Sequence, residues 1–403
     1  MNKILKRNCI CYQVYTYSQK CTLLFYIVTL YYMALGLSYT NIAILSVIGT
    51  ISTLLSEIPT GIIADRWSRK KSLQIASFLK LLSAVLMLMG TRVSFLCIAS
   101  LIWGIADSCQ SGAEQALLFE TFEDKKKYEE FLSKTYSRAY LMSAIATISA
   151  TALFAVNIYV PVMISVVLIA VSLVAVSNFV EVRKEAPKTE RTLFDFNKDV
   201  ILCIKHTSGL LNVLLLMSFC TVLVMSVNSY SQPLLMEKGV DLKILGLMMF
   251  AYNLLMALGA QVSSRMKVQN LHYILGLILC IGAVIVGCSN VWICVLVLGI
   301  YRIANGMIWP VLTCKINNLV SSEFRSTVMS YQNMFTSILC IVADPIVGIS
   351  LDWVGIERFY LVFGCVFSIL ILGLFLKELR IKKKYSSQNQ KNSVKWYSLY
   401  EKR

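Results

Sequence analysis

Of the 403 residues, 57% are apolar and 15% charged, against roughly 45–50% and 25% in an ordinary soluble domain, so water is excluded as the only solvent of this chain. The net charge of +16 does not point to nucleic acid, because the cations are dispersed over short segments. Thirteen scattered cysteines without a C-x-x-C pair exclude a disulfide framework and a zinc site of ordinary spacing, and no cofactor or metal is expected.

In chain order, apolar segments fall near 10–34, 41–63, 72–90, 94–116, 137–157, 159–180, 209–229, 243–264, 271–289, 291–313, 326–350 and 356–376. Each reaches the length of about 20 residues that crosses a bilayer as a helix, which predicts an all-α membrane protein with twelve spans. Lys3, Lys6 and Arg7 precede the first segment as in a signal peptide. No small-residue cleavage site follows them, so the segment reads as a retained anchor helix. With the first residues inside, 31 of the 38 lysines and arginines fall on the cytoplasmic side. Only Arg92, Lys238, Lys243 and Arg358 fall outside, a bias that predicts both termini in the cytoplasm.

The longest interruption, 183–208, carries six cations and Pro187 and separates six spans from six. It divides the chain into a bundle at 1–182, a linker at 183–208, a second bundle at 209–376 and a basic tail at 377–403. Thr192–Lys205 alternates apolar and charged residues, as expected of an amphipathic helix on the inner leaflet. The lysine-rich tail, with Trp396, Tyr397 and Tyr400, reads as mobile and membrane-grazing. His206 and His272 fall near span edges and read as interfacial residues.

Between the second and third spans lies Gly61-Ile-Ile-Ala-Asp65-Arg66-Trp-Ser-Arg69-Lys70-Lys71. This G-x-x-x-D-R-x-x-R-K-K pattern resembles the loop between helices 2 and 3 of the major facilitator superfamily. Other stretches are similar to the bacterial drug-efflux-like branch: Gly36-Leu-Ser38, Glu57-Ile-Pro-Thr-Gly61, Trp103-Gly104 through Ser111 and Glu114 to Glu120, and Glu323-Phe-Arg325-Ser-Thr-Val-Met-Ser330. The resemblance covers nearly the whole chain and implies two six-helix bundles related by an axis along the membrane normal. It also implies a gating latch: Gly61, Asp65 and Arg66 in the loop, Asp65 facing the start of helix 11 at Ser326, and Arg69 paired with Glu120. Ser68 stands where the family loop usually has glycine, and Ser263 replaces the acid in the matching loop after span 8. The latch is therefore expected to work chiefly through the first half, with Lys70 and Lys71 enforcing topology.

Charges inside spans are costly and usually face a cavity or a partner. The candidates here are Lys20, Lys80, Asp107, Glu114, Arg302 and Asp344. The resemblance implies that helices 1, 4, 7 and 10 line the central cavity, and four of the six fall on helices 1, 4 and 10. Helical spacing puts Gln13, Tyr17 and Lys20 on one face, and Gly104, Asp107, Ser111 and Glu114 on another. It likewise groups Arg302, Asn305 and Trp309, and Thr221 with Asn228. Asp107, about 18 Å into its span at 1.5 Å per residue, is expected to load and release a proton, with Lys20 or Arg302 as counter-charge. A structural ion pair that never titrates is the alternative. Glu114 is expected to serve either the pathway or the latch, Lys80 to snorkel to the inner surface, and Asp344, before Pro345, to mark a kink or an exit-side contact.

No G-x-x-x-x-G-K-[ST] occurs, and no segment outside the spans is long enough for an ATPase. No nucleophile–base grouping suggests an enzyme. The expected function is secondary transport by a monomer in the bacterial plasma or inner membrane. Its substrate would be a small or medium amphipathic compound, drug-like or a self-made peptide antibiotic, exported against protons. Proton-coupled uptake of a metabolite or peptide-like nutrient, and a non-transporting sensor or immunity protein, are the alternatives.

Overall fold

The computed structural model describes residues 3–181 and 200–400, apart from positions 67, 91, 112, 123, 206, 208, 264, 267, 269 and 322–323. All regular elements among the described residues are helices. The expected linker lies mostly outside them, with 200–205 helical. Among the described residues, eleven helices are long and apolar enough to cross a membrane, one fewer than the sequence suggests.

The difference lies in the first span. It breaks at Cys21–Leu23 into α1 (Lys3–Lys20) and α2 (Leu24–Ala34), and α1 is too polar and α2 too short to qualify alone. Nearby side chains satisfy two of the polar groups that the break releases. The Tyr26 hydroxyl donates to the Lys20 carbonyl at 2.8 Å, and the Leu24 N–H donates to Ser165 Oγ at 2.9 Å. Such irregular backbone is stable at membrane depth only when protein groups satisfy it. The fourth span also stops early, giving α5 (Val93–Gln110) and a short α6 (Ala113–Phe119) after an extended Ser111.

The chain divides into two compact units. The first comprises Met1–Thr189, Asn228–Asn253 and Ser337–Ile356. In it, α3 (Tyr39–Arg66) packs on α5, and α4 (Arg69–Leu88) packs on α5 and α8 (Val160–Ser177). Next to these, α1 packs on α7 (Lys125–Val156) and α8. Tyr12, Tyr15, Leu73, Leu118, Phe122 and Phe179 form a core at one end of this unit. The α3–α5 contact is close because Gly104 meets Gly49 and Ser52, and a Cβ at Gly104 would run into the Gly49 carbonyl. Of two boundary asparagines, Asn290 caps the helix that follows it, its Oδ1 accepting from Ile293 N–H, and Asn157 Oδ1 accepts from Tyr159 N–H in the turn after α7.

The second unit comprises Glu190–Val227, Leu254–Thr336 and Glu357–Arg403. It contains parts of α9 (Leu210–Glu237), α10 (Leu242–Ser263), α13 (Arg325–Val354) and α14 (Ile356–Tyr400), and all of α11 (Leu271–Cys288) and α12 (Val291–Leu319). A Cβ at Gly306 on α12 would strike the Met256 carbonyl on α10. Spans 8 and 10 thus reuse the small-residue contact of spans 2 and 4, as an internal repeat requires. Gln332 Nε2 donates to Ser218 Oγ at 2.6 Å, joining α13 to α9. The last helix runs far past the expected span end at 376, since no glycine or proline occurs between Lys377 and Tyr400 to stop it. Leu296 and Ile369, each about 70% exposed, illustrate an outer surface suited to lipid.

Candidate functional site

At the end of α3 that carries the basic loop, α4 begins on a double cap. Ser68 Oγ accepts from Lys71 N–H at 3.0 Å. The Glu181 carboxylate accepts from Arg69 N–H at 2.8 Å and from the Ser68 hydroxyl. A carboxylate there meets unsatisfied N–H groups and the positive end of the helix, worth about 0.3–1 kcal/mol. The Arg69 guanidinium bonds the Glu120 carboxylate, the pairing that the motif implies. The side chains of Gly61, Asp65, Arg66 and Ser326 lie outside the described residues, so their half of the latch remains an expectation. Glu181 was not foreseen, because a lone acid after span 6 has no spacing signature. The same holds for Asn8, which accepts from Val180 N–H and donates to its carbonyl at 2.9 and 2.8 Å, stitching α1 to the segment after α8.

Inside the bundle, four side chains from α4, α5 and α6 form one polar chain. Lys80 Nζ lies 2.8 Å from Asp107 Oδ1 and also donates to Gln110 Oε1. Gln110 Nε2 donates to Glu114 Oε2 at 2.9 Å. The Tyr12 hydroxyl donates to Glu114 Oε1 at 3.2 Å and lies 3.5 Å from the Tyr136 hydroxyl. The counter-charge of Asp107 is therefore Lys80, not Lys20 or Arg302, and Lys80 does not snorkel. Its side chain is 5% exposed while that of Asp107 is 44% exposed. The close α4–α5 packing lets the lysine stem point inward, and the Trp103 ring covers the ammonium at 5.3 Å. Gln110 was overlooked, although it follows Asp107 by one helical turn.

Lys20 stands apart from this chain. It ends α1 at the break, with Nζ 5.8 Å from the centre of the Tyr140 ring, and no carboxylate among the described residues lies within ion-pair distance. Asn228 on α9 has a buried side-chain oxygen without a hydrogen-bond partner. In the second unit, Arg302 and Asn305 are both buried on α12. Trp309 Nε1 donates to Asn305 Oδ1 at 3.0 Å, as their shared face predicts, and Asn305 also reaches Met256 Sδ at 3.8 Å. His272 is buried beside Tyr273 and Glu378 rather than interfacial.

A second latch-like cluster sits at the opposite end of α3. The Asp352 carboxylate accepts from the N–H groups of Tyr39 and Thr40 at 2.9 and 2.8 Å, neutralising the first turn of that helix. The Tyr39 hydroxyl donates to Glu237 at 3.1 Å, and the Ser46 hydroxyl donates to Asp344 Oδ2 at 2.8 Å. Asp344 thus contacts α3 through Ser46, and Asp352 is a tie that sequence reasoning missed.

The family model for the Major Facilitator Superfamily matches residues 9–271 and 214–402. The chain is 21% identical over 222 residues to an uncharacterized MFS-type transporter, YxaM, of Bacillus subtilis (strain 168); the match spans 54% of this chain and about half (55%) of that protein. In fold it is similar to a mutant of the nucleoside transporter NupG, with a TM-score of 0.76 at 14% identity over 91% of this chain and 99% of that one. It is also similar to a bacterial homolog of the human lysosomal transporter Spinster (TM-score 0.71, 13% identity, 94% and 96% covered). A D-xylose-proton symporter follows with a TM-score of 0.66 at 14% identity, covering 92% and 96%. With a family match over nearly its whole length and eleven helices able to cross a bilayer, this chain belongs to the major facilitator superfamily and is a multi-pass protein of the bacterial cell membrane.

Proposed function

We propose that the protein is a secondary transporter that exports a small or medium amphipathic compound in exchange for protons. It would act as a monomer through alternating access between two six-span bundles, with both termini in the cytoplasm. The observation that carries this reading is the Lys80–Asp107–Gln110–Glu114 chain, one ammonium paired with Asp107 and linked through Gln110 to a second carboxylate inside a membrane bundle. A purely structural pair needs one acid; the second gives the chain room to take up a proton without an unpaired cation. Arg69–Glu120 and the basic loop support the cytoplasmic latch and the drug-efflux-like branch. The Asp352 and Asp344 contacts supply a matching closure on the other side. Ties of about 1 kcal/mol each bias two states whose gap of a few kcal/mol keeps both within reach.

The test uses everted membrane vesicles containing the protein and a pH-sensitive dye, challenged with compounds picked by the sensitivity of a deletion strain. Compound-driven proton movement that disappears in Asp107→Asn supports the proposal. Movement retained in that variant removes Asp107 from coupling, and compound accumulation in the opposite direction replaces export with uptake.

A further inference from the structure

We infer that the ligand received by the first bundle is a monoanion with an apolar body, seated at Lys20 between α1 and α7. This rests on the transport reading and specifies the chemistry of its cargo. The ionised groups at the heart of the bundle divide into two kinds. Asp107 is already held by Lys80 at 2.8 Å, and Glu114 accepts from Gln110 and Tyr12. Among the described residues, Lys20 has only the face of Tyr140, 5.8 Å away. One turn earlier on the same face, the Tyr17 hydroxyl is buried without a hydrogen-bond partner. An ammonium can only donate hydrogen bonds, and a phenol has a proton to give. What both groups lack is therefore an acceptor.

The local backbone supports the same chemistry. The chain breaks directly after Lys20, and two of the groups it frees are already bonded: the Lys20 carbonyl to the Tyr26 hydroxyl and the Leu24 N–H to Ser165, so the nearest carbonyl does not compete for the ammonium. The Tyr140 ring, 61% exposed, offers an apolar wall to the body of a ligand.

A cation entering this bundle would meet a different situation. To reach Asp107 it would have to displace a lysine that is 5% exposed and also bonded to Gln110. An anion at Lys20 displaces nothing. Glu57, an exposed acid on α3, is one place where a cation would find a partner without displacing a lysine. It lies about 12 Å along the helix from Asp65, at 1.5 Å per residue, toward the mouth rather than mid-span.

The experiment compares three probes that share one aromatic tail: phenylbutyrate, phenylbutanol and phenylbutylamine. Binding to the purified full-length protein in detergent is read as the shift of the thermal unfolding midpoint. Phenylbutyrate should bind tightest. Its affinity should fall roughly ten- to a hundredfold in Lys20→Gln, the loss expected for one hydrogen bond to a charged group, and should survive in Lys20→Arg. Should the variants unfold, the wild type answers alone. Amine-reactive labelling of Lys20, followed by peptide mass spectrometry, should be suppressed by phenylbutyrate and not by phenylbutanol. Tighter or equal binding of the amine or alcohol, no response to the anion, or an undiminished response in Lys20→Gln overturns the inference. None of these results bears on the flux experiment, so the transport reading stands or falls separately.

Discussion

The Lys80–Asp107 pair makes an asymmetric prediction. At 2.8 Å, two unit charges attract by about 6 kcal/mol with an effective permittivity near 20. Desolvating the lysine offsets much of this, leaving a net coupling of about 2 kcal/mol. The two single substitutions should nevertheless differ. Lys80→Met strands a carboxylate that is 44% exposed and can take water, costing about 1–2 kcal/mol. Asp107→Asn strands an ammonium that is 5% exposed, costing about 3 kcal/mol. The double variant, with no charge left to strand, should cost about 2 kcal/mol less than the sum of the singles. Unfolding in mixed micelles, followed by tryptophan fluorescence, measures all four proteins, and Trp103 at 5.3 Å from Lys80 Nζ reports locally. Additive costs, or Lys80→Met as the worse single variant, would refute the reasoning.

Two further outcomes are expected. Asp352→Ala removes the acceptor for two N–H groups of α3 and should favour opening at that end by about 1 kcal/mol; spin-label distances between α3 and α13 near that end should lengthen, and unchanged distances would dismiss the tie. Gly104→Leu drives a side chain into the Gly49 carbonyl and should cost about 1–3 kcal/mol, seen as a lower unfolding midpoint, whereas Gly373→Leu, with open space around it, should not.

What could be read ahead of the structure follows from how far each signal extends along the chain. Apolar runs and basic loops are local, and they place eleven of the twelve expected spans. The first span differs because a break at Cys21–Leu23 needs Tyr26 and Ser165 to stabilise it, and Ser165 is more than a hundred residues away. Arg69–Glu120 was legible because a family pattern names both partners. Asn305–Trp309 was legible because the two stand one helical turn apart. Lys80 was misjudged for the opposite reason: snorkelling is the default for a lone lysine, and only the packing of α4 on α5 turns it inward. Asp352 and Glu181 act on helix starts distant in sequence, where no periodicity points to them.

The 28-residue α3 is a rod of about 42 Å, gripped by Asp352 at one tip, with the signature loop at the other. Lengths of that kind convert small angles into large strokes. A tilt of about 10° around the gripped tip would carry the far tip through roughly 7 Å, more than one pitch of a helix. Gly104, pressed against the middle of the rod, obliges α5 to swing with it, so the carboxylate riding on α5 would change its surroundings in the same movement.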